Sequence, residues 1–181
     1  MSTAGSTSGS TTGSTTGSTA TRYDEAAIEA DPTVPMIHIW RDFAGTPEQL
    51  FRAHTDPELF ARWIGPEGMG ATILEWDATN NGKWRYAGGD RFDQQQFFRG
   101  SFHTVSPEKI VQTFTWEGMP DAVALETVTF EDLGDGRTRL HALSLCDSFE
   151  DRDMWLRESG MEIGVQQGYA ALDRMLADGS L

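Results

Sequence analysis

The sequence predicts an α+β domain in which a curved antiparallel sheet wraps around one long C-terminal helix. Three observations support this fold class. Six β-rich runs follow one another between residues 71 and 145, joined by short turns. Two short helical patterns precede them, and residues 161–176 place apolar or small side chains at helical spacing. Strands joined by short turns form antiparallel meanders, and such a sheet can bury the apolar stripe of a helix.

The first 34 residues differ in composition from the rest of the chain. Residues 1–21 repeat Gly, Ser and Thr without a charged side chain, so they lack the apolar surface that ordering requires. We therefore expect a disordered tail there. It is not expected to be a signal peptide, because the basic start and the apolar run of a signal peptide are both missing. Residues 22–34 are expected to be a lead-in segment with one loose helical turn. A single domain is then expected over residues 35–178.

The predicted domain begins with a strand and two short helices. Residues 35–43, PMIHIWRDF, alternate in polarity as a strand does. Thr46 and Asp56, each followed by proline, predict the N-caps of the two helices. The second helix is expected to end at Trp63, where the glycine-rich loop 64–70 begins.

Six strands and a long helix are predicted after this loop. The strands read ATILEWDA, KWRYA, QQFFRGSFHTV, IVQTFTW, VALETVTFED and RTRLHALSL. The last helix begins at Met161, and one inward stripe includes Gly164, Val165, Gly168 and Tyr169. The order of elements is therefore one strand, two short helices, a six-stranded meander and a terminal helix.

Four stretches carry a family resemblance: TPEQLFRAHTDPELFARWIGPEG, GKWRY, RGSFHTVSPEKIVQTFTWEGMPDAVALETVTFEDLGDGRTRL and SFEDRDMWLRESGMEIGVQQGYAALDRML. In this order they resemble the activator-of-Hsp90-ATPase-homologue-1-like family of the START-like superfamily, across about residues 36–177. The resemblance implies a helix-grip (START-like, Bet v 1-like) fold with a cavity between sheet and helix. The co-chaperone that names the family has an additional N-terminal domain, which the residues before 35 are too few to form. An Hsp90-type chaperone is therefore not the expected partner.

Charge and cysteine content restrict the partners. The chain has 28 acidic and 14 basic residues, a net charge of −14, which disfavours nucleic acid and anionic membranes as partners. No stretch is long and apolar enough to predict a membrane span. The single cysteine, Cys146, cannot form an internal disulfide and is typical of a reducing compartment, so we expect a cytoplasmic protein. The sequence is compatible with a monomer and with a homodimer.

Motifs for metals, cofactors and covalent catalysis are not found. His38, His54, His103 and His141 lack the spacing of zinc or iron ligands. The glycines match neither a phosphate-binding loop nor a dinucleotide fingerprint. Cys146 has no basic residue adjacent in sequence that would activate its thiol. We therefore expect no metal and no cofactor.

The candidate ligand-binding residues are those that would face one another in a helix-grip fold. They are Trp63, Trp84, Phe98, Phe114, Trp116, Glu126, Gly164, Val165, Gly168 and Tyr169. Ordinary core packing also accounts for most of the aromatic residues. The two glycines lower helix stability relative to alanine, so they indicate either space opposite the sheet or close backbone packing. Trp63 and loop 64–70 are interpreted as a gate beside the cavity.

Glu126 is the most unusual candidate. Strand alternation places it on the same face as Val128 and Phe130. An inward carboxylate is costly unless it is paired, hydrogen-bonded or neutralised. Two interpretations follow: Glu126 lies near the sheet edge and reaches water, or it is a polar group in an apolar cavity.

Three functional hypotheses follow from these residues. The leading hypothesis is a binding protein for a small apolar or amphipathic molecule. The resemblance also admits a cyclase-like or hydrolase-like enzyme in which Glu126 acts as acid or base. The third hypothesis is a module that binds a chaperone.

Overall fold

The structure is a computed structural model that describes residues 23–89, 95–157 and 160–181. The predicted tail, residues 1–21, lies outside the described residues. The described strands are β1 (Ala27–Ala30), β2 (Met36–Phe43), β3 (Ala71–Trp76), β4 (Lys83–Gly88), β5 (Gln96–Ser106), β6 (Lys109–Trp116), β7 (Val123–Gly134) and β8 (Arg137–Leu145). The described helices are α1 (Pro47–Thr55), α2 (Pro57–Trp63), α3 (Phe149–Arg157) and α4 (Met161–Ala177).

One curved antiparallel sheet contains all of these strands, in the order β1-β2-β8-β7-β6-β5-β4-β3. The six predicted meander strands are β3 to β8, and each pairs with the next. β2 pairs with β8, so the first predicted strand lies beside the last. The α+β fold class is confirmed.

Residues 27–30 correct the expectation of a loose helical turn in the lead-in segment. They form β1, in which Ala27 lies opposite Trp40 of β2. Just before β1, Ala26 accepts a 2.8 Å hydrogen bond from the amide of Gln166 in α4 and donates a 3.2 Å bond back to it. Four residues are too few to show strand alternation, and the two non-local partners account for the extended conformation. The sheet therefore begins before residue 35.

The two short helices begin at the predicted caps. The Thr46 hydroxyl accepts from the Gln49 backbone at 3.3 Å, and the Gln49 side chain accepts from the Thr46 backbone at 2.9 Å. Asp56 accepts from the backbone N–H groups of Glu58 and Leu59 at 2.9 and 3.2 Å. These caps fix where α2 begins, and α2 ends at Trp63 as predicted.

The C-terminal half of α4 packs on the inner face of the sheet. Tyr169 meets Phe43 edge to face at 5.4 Å between ring centroids. Arg41, which is buried on the same face of β2 as Ile37 and Ile39, forms an ion pair with Asp173. Leu172 is fully buried in this part of the core. Among the described residues, no helix is both long and apolar enough to cross a membrane.

Candidate ligand cavity

A cavity of about 540 Å³ lies between the inner face of the sheet and the N-terminal half of α4. Its volume is in the range of small-molecule binding sites. Apolar side chains make up most of the wall, among them Ile37, Ile39, Phe60, Trp76, Ile110, Ala124, Val128, Ala142 and Trp155. Gly70 and Gly160 belong to the lining and are exposed, so they mark its mouth.

Nine of the ten predicted site residues line this cavity. They are Trp63, Trp84, Phe98, Phe114, Trp116, Glu126, Gly164, Val165 and Tyr169. Gly168, which was predicted as a ligand-binding residue, is not among the described lining residues, so close backbone packing is the interpretation that applies to it. A methyl group on Gly168 would lie 2.7 Å from the backbone oxygen of Trp63, so this glycine permits close helix packing. A methyl group on Gly164 would make an ordinary 3.7 Å contact with Pro66.

Trp63 is a fixed wall of the cavity. Its indole N–H donates a 2.9 Å hydrogen bond to the backbone oxygen of Ala53, and only 6% of the residue is exposed. The loop that follows borders the mouth through Gly65, Pro66 and Met69. Gly65 has φ +85°, a conformation that side chains of L-residues disfavour. Movement of this loop as a gate remains a prediction.

A row of three polar side chains crosses the floor of the cavity. Gln112 of β6, Glu126 of β7 and Ser144 of β8 lie directly opposite one another in the sheet. The Gln112 amide donates to Glu126 Oε2 at 2.9 Å, and the Ser144 hydroxyl donates to Glu126 Oε1 at 3.0 Å. The neighbouring inward rows are apolar: Phe114 with Ala124 on one side, and Ile110 with Val128 and Ala142 on the other.

The position of Glu126 decides between the two interpretations of its sequence. β7 is an interior strand with β6 and β8 on either side, so Glu126 does not lie at a sheet edge. Burial raises the pKa of its carboxyl group. The hydrogen bonds from Gln112 and Ser144 lower that pKa, but the effect of burial is larger. No cation among the described residues pairs with it. A carboxylate has about four acceptor positions, so Glu126 retains unused ones.

Two tyrosines add unpaired hydroxyl groups to the same cavity. Tyr86 on β4 and Tyr169 on α4 are both buried and line it. Neither hydroxyl makes a hydrogen bond with another described residue. Burial and the nearby charge of Glu126 both raise the pKa of each phenol. Buried tyrosine hydroxyls usually have a partner, so a polar group of a ligand fits here.

His54 contributes an acceptor that the sequence argument missed. Its Nδ1 lies 2.8 Å from the backbone oxygen of Leu50, which can only accept, so Nδ1 carries the proton and Nε2 is an acceptor. Burial lowers the pKa of this histidine to about 4. Its side chain lines the cavity. A histidine one turn after a leucine in a helix carries no signal of this role, whereas Gln112 shares strand parity with Phe114 and Trp116 and could have been identified.

This site combines apolar walls with a few polar groups, which include acceptors on Glu126 and His54 and one donor without a described partner, the indole N–H of Trp84. Cys146 lines the cavity, but burial, with smaller contributions from nearby acidic groups, raises the pKa of its thiol to about 11, so it is not a thiolate near neutral pH. Within the described part of the chain, no three histidine, cysteine or acidic side chains converge in a way that could hold a metal ion.

A curved antiparallel sheet that holds a long C-terminal helix, with a cavity between them, defines a helix-grip domain. The model of one family, described as activator of Hsp90 ATPase homolog 1-like protein, matches residues 44–177. The chain therefore belongs to the activator of Hsp90 ATPase homologue 1-like family, which confirms the resemblance. No curated protein matches the chain.

Several solved bacterial structures share the fold. A crystal structure of a Rhodobacter sphaeroides protein is 24% identical, has a TM-score of 0.73, and aligns over 84% of this chain and 99% of that one. A solution structure of an Arthrobacter aurescens protein is 24% identical, has a TM-score of 0.75, and aligns over 84% of this chain and 91% of that one. A crystal structure of a Mycobacterium smegmatis protein is 20% identical, has a TM-score of 0.73, and aligns over 83% of this chain and 95% of that one. Similarity at these identities shows the fold alone.

Proposed function

We propose that this domain binds one small, mostly apolar molecule in the cavity between the sheet and α4. One observation carries the proposal: a volume of about 540 Å³ with a mostly apolar wall and a hydrogen-bonded polar row across its floor. Membership of a START-like family is consistent with it. The lone thiol of Cys146 supports a cytoplasmic setting.

The two parts of the wall have separate roles in this proposal. Apolar surface of the ligand that leaves water contributes about 25 cal/mol per Å² of burial, so the aromatic wall supplies most of the affinity. The row of Gln112, Glu126 and Ser144 contributes orientation, because its hydrogen-bonding groups lie at one place on the floor.

An acid–base role for Glu126 is the second candidate function. The observation that favours it is a carboxyl group on the cavity floor whose pKa is raised by burial. A cyclase or hydrolase of this kind would lose turnover in Glu126→Gln while it still bound its substrate. A binding protein shows saturable binding and no turnover.

The first experiment is native mass spectrometry of the protein purified from its own host. The proposal predicts a mass increase from one small molecule, lost on denaturation. The second is titration of the ligand-free protein with N-phenyl-1-naphthylamine, a neutral apolar probe that fluoresces in apolar surroundings. We expect one probe per chain.

Two variants at one position test whether the probe enters the cavity. Gly164→Leu extends a side chain into the space that Gly164 lines and should abolish or strongly weaken probe binding. Gly164→Ala adds one methyl group with an ordinary contact and should bind as the wild type does. Equal binding by the leucine variant, or no binding by the wild-type protein, would contradict the proposal.

A further inference from the structure

We propose that the ligand carries an ammonium group, which binds Glu126, on an apolar body that contacts the aromatic walls. This inference rests on the proposed function and specifies its ligand class. The carboxylate of Glu126 has only neutral hydrogen-bond partners among the described residues. Glu126 accepts from the Gln112 amide and the Ser144 hydroxyl, and no described cation approaches it.

Arg41 is close enough to influence Tyr169, but its guanidinium forms an ion pair with Asp173. No lysine or arginine belongs to the described lining of the cavity. A partly buried carboxylate without a cation is destabilising, and a cationic ligand would compensate it directly.

The other polar groups of the cavity also favour a donor. The Nε2 atom of His54 is an acceptor, because Nδ1 holds the proton against the backbone oxygen of Leu50. The hydroxyl oxygens of Tyr86 and Tyr169 have no partner among the described residues and can each accept. An ammonium group has three N–H donors, so it matches these acceptors, whereas the unpaired indole N–H of Trp84 needs an acceptor that an ammonium group does not supply.

The aromatic walls are suited to the same charge. Ring faces attract organic cations, and tryptophan does so most strongly. Trp84 stacks on Tyr86 at 5.7 Å and contacts Phe114 at 5.6 Å between centroids, so several rings surround one region of the cavity. The net charge of −14 also attracts cations to the protein as a whole.

A neutral ligand that accepts a hydrogen bond from a protonated Glu126 is the competing arrangement. Gln112 already directs an N–H to one carboxylate oxygen, and the Ser144 hydroxyl is placed to donate to the other. The Gln112 N–H stabilises the ionised carboxylate while burial opposes it, and the charge of a cationic ligand would compensate that burial, which a neutral ligand would not.

The experiment compares two probes that share one ring system and differ in a single polar group, a charged ammonium or a neutral hydroxyl. Isothermal titration calorimetry at neutral pH and physiological ionic strength measures the Kd of 1-naphthylmethylamine, which is protonated, and of 1-naphthylmethanol, which is neutral. We expect the amine to bind at least about tenfold more tightly, as a charge-assisted hydrogen bond allows. Glu126→Gln should reduce that preference to about threefold or less while the alcohol still binds.

A matched variant distinguishes the effect of Glu126 on amine binding from the effect of the protein's overall negative charge. Glu131→Gln removes the same charge from an exposed position on the same strand, β7, and should keep the preference for the amine. Binding of both probes without preference by the wild-type protein would overturn the ammonium inference and leave the proposed function standing. An equal loss of preference in Glu131→Gln would also overturn it. Failure of both probes to bind would contradict the proposed function itself.

Discussion

Gly168 lies directly against the backbone oxygen of Trp63, which a methyl group on the glycine would approach to 2.7 Å. Because the opposing atom belongs to the backbone, α4 would have to move away from the end of α2. One turn earlier in the same helix, a methyl group on Gly164 would lie 3.7 Å from a ring carbon of Pro66. Two glycines of one helical stripe therefore have different roles: Gly168 allows close packing, and Gly164 leaves space at the cavity.

This difference predicts opposite effects of the same substitution. Gly168→Ala should lower the free energy of unfolding by roughly 1–3 kcal/mol, because it overpacks a backbone contact. Gly164→Ala should be neutral or stabilising by up to about 1 kcal/mol, since alanine favours helix over glycine. Urea unfolding of both variants measures the two values. A tolerated Gly168→Ala would show that α4 does not pack closely on the Trp63 backbone.

The pH dependence of stability tests the environment of Glu126. Burial raises the pKa of its carboxyl group, so the folded protein binds this proton more tightly than the unfolded chain. Stability is therefore gained as the pH falls from above the raised pKa towards the ordinary glutamate value, and lost as the pH rises. Glu126→Gln lacks this titration, so its stability relative to wild type should be highest at pH values above the raised pKa and should decrease as the pH is lowered towards the ordinary glutamate value.

Chemical unfolding of ligand-free protein between about pH 5 and pH 8 checks this prediction. Glu131→Gln, with an exposed side chain on the same strand, serves as the control for loss of one charge. A stability difference between Glu126→Gln and wild type that stays constant across this range would show that Glu126 has an ordinary carboxyl pKa.

His54 provides an independent test of how well water is excluded from the cavity wall. Burial lowers the pKa of its imidazole to about 4, against an ordinary value of about 6.5. The folded protein therefore binds this proton less tightly than the unfolded chain, and stability is lost as the pH falls from about 6.5 to about 4. Nitrogen NMR at about pH 5 should show a neutral ring protonated at Nδ1. A positively charged His54 at that pH would mean that solvent reaches it.

Local sequence rules predicted much of the fold because the relevant signals are short-range. Thr46 and Asp56 satisfy the backbone of the next few residues, so both caps were predicted correctly. Asn81 has φ +66°, a conformation that suits the Asn-Gly pair at residues 81–82, which is typical of tight turns. β1 was not predicted, because its four residues depend on β2 and on Gln166, which is 140 positions away from its partner Ala26.

The sequence predicted which side chains point into the candidate site, but it did not predict what surrounds them. Alternation with Val128 and Phe130 predicted that Glu126 points inward. Whether an inward carboxylate reaches water depends on which strands flank it, and that follows from the pairing of β7 with β6 and β8. The roles of Gly164 and Gly168 are distinguished only by what lies opposite each one in space.

The location of a bound apolar probe tests the central claim most directly. β7 and β8 carry apolar pairs on both faces: Val128 opposite Ala142 in the cavity, and Leu125 opposite Leu145 on the outer face, where they are 46% and 37% exposed. Intermolecular nuclear Overhauser effects between 1-naphthylmethanol and methyl-labelled protein distinguish the two faces. The account predicts contacts from the naphthalene ring to Val128 and Ala142, and none to the leucine pair. Contacts to Leu125 and Leu145 without any to the inner pair would contradict it.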